Sequence, residues 1–309
     1  MSSVKIFSGS ATQKLAEAIA YNYGSPLGKI EKQVFSDGEM GLYLSESVRG
    51  CDVFLIQSTA PPADNMWELL MMIDAARRAS AKYVTVVVPY YGYARQDRKD
   101  KPRVSIGAKL AANVLTSAGA DRIMACDLHA DQIQGFFDIP VDHLDGSAIF
   151  VPHLKKLQLN NLIFASPDVG GTKRSRSYAK FFQVDMVVCD KHRKRANEVA
   201  SMQVIGDVVG KEVVLVDDVV DTAGTISKAA TVIAEKGASS VIAIATHGVL
   251  SGNAYNNIEE SALEQLIITD TLPQRHKSEK IKVLTVADLF AKAIRKVHDY
   301  ESISSLFLK

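Results

Sequence analysis

Cysteine is scarce. The chain of 309 residues has three, Cys51, Cys126 and Cys189, widely spaced and odd in number. No CxxC pair exists, so neither a zinc site nor a disulfide framework is indicated. The three read as buried thiols in a reducing cytoplasm. Net charge is missing too: 36 Lys and Arg against 35 Asp and Glu leave +1 with His neutral. That balance removes the global basic field of a nucleic-acid binder. No apolar run reaches membrane-spanning length, and the opening MSSVKIFSGS has no signal-peptide core. No short-period repeat is present. A Walker A motif is absent as well. The nearest approach, Gly206 to Lys211, has the wrong glycine spacing, Glu212 after the lysine and a strand pattern behind it, so it reads as a turn. What remains is an ordinary globular composition, 47% apolar and 23% charged, in a chain long enough for two domains.

The most informative stretch is Val213 to Thr225, VVLVDDVVDTAGT. Val213 to Val216 is continuously apolar and mostly β-branched, the pattern of a strand buried on both faces of a parallel sheet. Asp217 and Asp218 follow where such a strand would emerge. Asp221, Thr222, Ala223, Gly224 and Thr225 then form a turn of small residues. Ile226, Ala229, Ala230 and Ile233 fall on one face of a helix that Gly237 is placed to end. Small residues before a helix N-terminus let backbone N–H groups approach an anion, and the helix dipole favours it. The carboxylates suit sugar hydroxyls or a divalent cation instead. Phosphate donors beside an acidic pair point to a phosphorylated sugar. A plain crossover with solvated aspartates is the alternative.

Other strand ends carry chemistry of the same kind. Val4 to Phe7 reads as a strand, with Ser10 or Thr12 capping a helix through Tyr21. Lys29 to Phe35 is a second strand, ending in Phe35, Ser36, Asp37, Gly38 and Glu39, which read as a turn. Val53 to Ile56 and Val84 to Val88 are buried strands, with a helix from Asn65 to Ala79 between them. Tyr90 to Lys99, YYGYARQDRK, follows the latter strand. Arginine offers a fork for phosphate, and tyrosine or arginine can stack on a base; a surface loop with a tyrosine cluster is the plain alternative. Asp100 to Val104 is polar, contains Pro102 and reads as a mobile lid. Ile106 to Thr116 is a helix. Arg122 to Cys126 is a strand delivering Asp127, His129 and Asp131, which either gather near one cation or include a structural histidine.

Near Ser147 a second α/β set begins, dividing the chain into 1–146 and 147–309. Ser147 to Leu157 is a helix. Leu162 to Ala165 is a strand leading to Asp168, Gly170 and Gly171, which open a helix through Phe182. Met186 to Cys189 is a strand followed by the basic run Lys191 to Arg195. Val241 to Ala245, Leu266 to Ile268 and Ile281 to Val286 are strands, and Ala287 to Val297 a terminal helix. The fold class is α/β: two similar domains, each a mostly parallel sheet flanked by helices.

These motifs together resemble class I ribose-phosphate pyrophosphokinase. The resemblance runs essentially end to end, through FSDGE, YYGYARQD, DLHADQIQGFFDIPVD, SPDVGG, DKHRKRAN, VDDVVDTAGT, THGVLSG, ITDT and SSLF. Asp127 to Asp142 is specific to that family, whereas Val213 to Thr225 is shared with phosphoribosyltransferases.

The resemblance implies two phosphoribosyltransferase-like domains, ATP on the first and ribose 5-phosphate on the second, and a product pair of phosphoribosyl pyrophosphate and AMP. Carried over, Asp221, Thr222, Ala223, Gly224 and Thr225 hold the 5-phosphate, and Asp217 and Asp218 hold ribose hydroxyls or their magnesium. His129 and Asp168 are ligands of the magnesium on ATP. Lys191 and Arg193 are the catalytic cations, Arg193 also on the ribose 5-phosphate side. Arg95 and Gln96 contact ATP, joined by Phe35, Asp37, Gly38 and Glu39 from a neighbouring subunit, which implies a hexamer built from dimers. Phosphate activation and ADP inhibition belong to the same implication, as do a cytoplasmic location and the absence of nucleic-acid or membrane partners. The sequence departs from the family at the lid, Arg98 to Ser105, and at Lys194 and Ala196, where prolines are common. A phosphoribosyltransferase would not need His129, Lys191 or the Arg95–Gln96 pair. A non-catalytic relative would have lost catalytic positions that are all suitably filled here.

Overall fold

A computed structural model describes residues 3–192 and 201–307. The chain divides into two compact units.

Of the described residues, the first comprises 3–146, 271–273 and 285–307. Its elements begin with β1 (Val4–Ser8), α1 (Gln13–Tyr23), β2 (Ile30–Val34), β3 (Met40–Leu44), β4 (Asp52–Ile56) and α2 (Asp64–Arg78). They continue with β5 (Tyr83–Val88), α3 (Gly107–Ala118), β6 (Arg122–Cys126) and β7 (Val141–Leu144). Strands β1, β4, β5, β6 and β7 form one parallel sheet in that order. Every residue of β4 is buried, which explains its unbroken apolar run after Asp52. β2 and β3 stand apart as an antiparallel hairpin. The sequence pattern misses β3 because Gly41 interrupts it, and misses β7 because Asp142 and His143 sit within it. The helix expected after Ser10 or Thr12 begins at Gln13, with Thr12 at the N-cap position. Thr12 makes no side-chain cap, because its hydroxyl donates to Gln57 Oε1 and accepts from the Ser58 amide, at 3.1 and 2.8 Å.

Of the described residues, 147–192, 201–270 and 274–284 make up the second unit. It contains α4 (Ser147–Leu157), β8 (Leu162–Ser166), α5 (Thr172–Phe182), β9 (Met186–His192), β10 (Ser201–Ile205) and β11 (Glu212–Val220). There follow α6 (Gly224–Glu235), β12 (Ser240–Gly248), α7 (Ala254–Glu260), β13 (Gln265–Thr269) and β14 (Ile281–Leu284). Its seven strands run in the order β10-β9-β8-β11-β12-β13-β14, all parallel except β10. β11 is longer than its apolar run: pairing with β12 continues through Val220 and Gly248, so Asp217 and Asp218 lie inside the strand rather than beyond it.

The terminal helix α8 (Ala287–His298) belongs to the first unit, unlike the continuous stretch 147–309 read from the sequence. It buries Leu289, Phe290, Ala293 and Ile294. Its last turn is tied down by His298 Nδ1 at 2.8 Å from Asp52 Oδ2 and by Arg295, whose guanidinium lies 4.6 Å above the Tyr23 ring. All three cysteines are buried thiols. Burial pushes Cys126 up, and Cys189 up to about 11, so neither is a nucleophile at neutral pH.

Truncating the fully buried Phe290 to Ala should cost about 3–5 kcal/mol. Amide exchange is expected to accelerate in α1 and to stay unchanged in α6. Acceleration confined to α6 would contradict the packing of α8 with the first unit.

Candidate active site

In a parallel sheet all strand C-termini leave the same edge, and ligands bind there. In the second unit that edge collects the turn after β8, the end of β9 and the turn after β11. Asp168 follows β8; its Oδ1 accepts from the Gly171 amide at 2.9 Å, and Ser166 Oγ donates to the Asp168 carbonyl at 2.6 Å. These bonds fix a tight turn at the start of α5. The backbone of Lys191 lies in β9, paired with Met202 of β10. Arg193, Lys194 and Ala196 lie outside the described residues.

The turn from β11 into α6 is braced from a neighbouring loop. Asp221 accepts from Ser251 Oγ on its carboxylate and from the Ser251 amide on its carbonyl, the latter at 3.0 Å. Asn257 Nδ2 donates to the Thr222 carbonyl at 2.8 Å. Ala223 adopts a left-handed conformation, φ 59°, and Gly224 begins the helix. The Asp221 carboxylate is thus part of the scaffold of the turn, while the first-turn amides of α6 have no acceptor within the helix. Thr222 is exposed and Thr225 half-buried.

Asp217 and Asp218 are consecutive in β11, and their side chains interact with each other. Asp218 is buried, and its Oδ1 accepts from Arg174 Nη1 of α5 at 2.8 Å. Asp217 Oδ1 accepts from the Asp218 amide at 2.8 Å. Burial, and then the charge of Asp218, push the Asp217 carboxyl well above the usual carboxylate range; Arg174 opposes them. Two adjacent carboxylates at this sheet edge suit a divalent cation or sugar hydroxyls.

In the first unit the loops after β5 and β6 share the sheet edge, joined by Gln132 Nε2 donating to Asp97 Oδ2 at 3.3 Å. Tyr90 and Tyr91 are not stacking surfaces. Both are buried; Tyr91 donates to the Ala108 carbonyl at 2.9 Å and packs edge-on against Phe137. Tyr93 is exposed with φ 65°. Gly92 is required at the bend, because a Cβ there would lie 2.1 Å from the Thr59 carbonyl oxygen. Arg95 and Gln96 are exposed beyond it, and the Gln96 carbonyl accepts from Ala108 at 3.2 Å, which seats the loop on the start of α3. The stretch 100–103 is an exposed turn. His129 is exposed, and its loop is held by His143 Nε2, which accepts from the Leu128 amide at 2.9 Å. Among the described residues, no three His, Cys, Asp or Glu side chains gather as a metal site. The hairpin tip is a separate exposed feature: Gly38 has φ 93°, and the Glu39 amide donates to Asp37 Oδ1 at 3.0 Å.

Residues 4–119 match the family described as the N-terminal domain of ribose phosphate pyrophosphokinase, and residues 189–308 match the phosphoribosyl synthetase-associated domain. A ribose-phosphate pyrophosphokinase of Porphyromonas gingivalis is 57% identical, covering 98% of this chain and 97% of the relative. The chain belongs to the ribose-phosphate pyrophosphokinase family. A second such enzyme, from Wolinella succinogenes, is 53% identical over the full length of both chains. Among solved structures of the family, phosphoribosylpyrophosphate synthetase from Mycobacterium smegmatis superposes with TM-score 0.91 at 39% identity, covering 96% of this chain and 99% of that one. No described helix is long and apolar enough to cross a membrane.

Sequence reasoning misses Arg174, Ser251, Asn257 and His143. Each acts on a recognisable motif across a long stretch of chain, and nothing in its local pattern marks the partner.

Substituting Asp217 by Asn tests the raised carboxyl. A carboxyl whose pKa is raised by folding favours the folded state below its unfolded value, about 4, and that advantage is lost as pH rises. The melting temperature of Asp217→Asn, without ligands or metal, is therefore expected to match wild type near pH 4 and to exceed it increasingly toward about pH 8. A pH-independent difference would contradict the raised carboxyl.

Proposed function

We propose that the chain transfers the β,γ-pyrophosphoryl group of ATP to the anomeric hydroxyl of ribose 5-phosphate. The bond formed joins the sugar oxygen to the β-phosphorus, the bond broken joins that phosphorus to the bridging oxygen of AMP, and the hydroxyl proton is released. The observation that carries the reading is the turn from β11 into α6. It offers helix-start amides beside an acidic pair whose Asp217 carboxyl is raised by burial, in a chain of this family.

Each residue type suits its role. The amides and hydroxyls of Thr222 to Thr225 take the 5-phosphate, with Asp221 and Ser251 holding the turn in shape. Asp217 and Asp218 face the ribose hydroxyls. Arg95 and Gln96, with Phe35, Asp37, Gly38 and Glu39 of a neighbouring subunit, take ATP, which requires an oligomer, a hexamer in this reading. His129 and Asp168 are the residues that would hold magnesium, which supplies charge neutralisation on the ATP phosphates when bound. Transfer at phosphorus needs positioning and charge stabilisation more than covalent catalysis. Lys191 and Arg193 supply fixed positive charge where negative charge builds on the transferred oxygens and on AMP. Phosphate and ADP are the proposed effectors and the cytoplasm the proposed location.

Incubation with ATP, ribose 5-phosphate and magnesium, with and without phosphate, should yield AMP one-for-one with phosphoribosyl pyrophosphate. ADP instead would mean an ordinary kinase, and no turnover a non-catalytic relative. Lys191→Ala should lower kcat and kcat/KM alike by roughly 100-fold, comparable to losing one preorganised donor. A raised KM with kcat preserved would refute a role in the transition state.

A further inference from the structure

The β2–β3 hairpin carries a lysine where its pattern calls for an apolar residue. Cross-strand pairing sets Ile30 opposite Leu44, Lys32 opposite Leu42 and Val34 opposite Met40, so these six side chains share one face. Ile30, Leu42 and Leu44 pack against the core of the first unit. Lys32 lies in the same row, and its ammonium pairs with Glu68 of α2. Glu68 is 1% exposed. Its carboxylate also accepts from the Ser10 amide at 3.0 Å, the Ser10 hydroxyl, and Gln57 Nε2 at 3.0 Å. Gln57 in turn accepts from the Ala11 amide and the Thr12 hydroxyl, both at 3.1 Å. A buried carboxylate is therefore anchored by donors from the turn after β1 and from the residue after β4, and it presents its charge to the hairpin.

Such a pair contributes little net stability, because desolvating two charges offsets their attraction. It does discriminate between registers. A slip of one residue in β2 would turn Lys32 outward and bring Glu31 or Gln33 to face Glu68, exchanging attraction for repulsion or for an unpaired buried charge. The opposite face carries its own polar set, with Tyr43 Oη donating to Glu31 at 2.5 Å and Ser45 Oγ to Glu31 at 3.1 Å. Beyond Lys32, the remaining residues toward the tip are exposed: Gln33, Val34 and Phe35 through Glu39. Lys32 is thus the last charged anchor before the tip.

We infer that the Lys32–Glu68 ion pair fixes the register and direction of this hairpin, making Lys32 a positioning residue for ATP. The inference rests on the proposed contact of Asp37 and Glu39 with the nucleotide. Lys32 itself touches no substrate; it acts through the tip. Because the tip binds ATP alike in the ground and transition states, its misplacement weakens binding and leaves the chemical step unchanged.

The test uses the full-length protein with three variants, Lys32→Met, Lys32→Arg and Asp37→Ala. In Lys32→Met the amides of Phe35 and Gly38, which bond across the tip to Glu39 and Phe35 at 2.8 and 2.9 Å, should exchange about tenfold faster than in wild type. The KM for ATP should rise about fivefold or more, with kcat and the KM for ribose 5-phosphate within about twofold. Lys32→Arg, which keeps the charge pair, should restore both readouts. Wild-type exchange and KM in Lys32→Met, with a raised KM in Asp37→Ala, would overturn the inference and leave the nucleotide role of the tip standing. An unchanged KM for ATP in Asp37→Ala would remove that role, and the positioning role of Lys32 with it.

Discussion

Two carboxylates next to each other at the end of a buried parallel strand are the constraint around which the second unit is arranged. The strand cannot end before them, because β12 continues the backbone pairing past both. Their surroundings differ. Asp218 receives Arg174 from α5. Asp217 receives the next backbone amide, the repulsion of its neighbour and the opposing charge of Arg174. The turn that follows is then braced by Ser251 and Asn257, so that the start of α6 is held beside the acidic pair. In the proposed function a phosphorylated sugar would place its phosphate on the amides and its hydroxyls on the carboxylates.

The first unit shows the same economy in its loops. Close approach rather than side-chain chemistry fixes the bend at Gly92, where the Thr59 carbonyl leaves no room for a Cβ. The tyrosines that make the stretch conspicuous are partly foundation: Tyr91 is sealed against Phe137 and the Ala108 carbonyl. Burial pushes its phenol up, keeping it a neutral donor. Arg95 and Gln96 are presented by that foundation to the sheet edge where the loop carrying His129 also arrives.

The buried strands were legible because burial on two faces leaves an unmistakable run, as in Val213 to Val216 and Val84 to Val88. The loops they deliver were legible for the same reason, since a strand end fixes where a motif emerges. Other features leave no such trace. β3 has a glycine at its second position, and β7 alternates apolar residues with Asp142 and His143. In a loop, nothing in the letters separates buried Tyr90 and Tyr91 from exposed Tyr93. Arg174, Ser251 and Asn257 meet their partners across 44, 30 and 35 residues, and only the fold brings them together. The division of the chain was read as a single cut, yet α8 returns to α1, because chain order does not constrain which exposed apolar face a terminal helix covers.

Comparing two acidic side chains separates structural from functional charge. Glu68 is surrounded by donors, from Ser10, Gln57 and Lys32, so that its charge is fully answered by the protein. Removing any partner would leave a buried acceptor unmet, and the protein gains a fixed hairpin in return. Asp217 is the reverse case. Burial and a second carboxylate alongside raise its carboxyl, against the opposing charge of Arg174. A fold selected for stability alone would replace Asp217 with a neutral acceptor. In the proposed function that cost is met by the sugar hydroxyls or metal of the ligand.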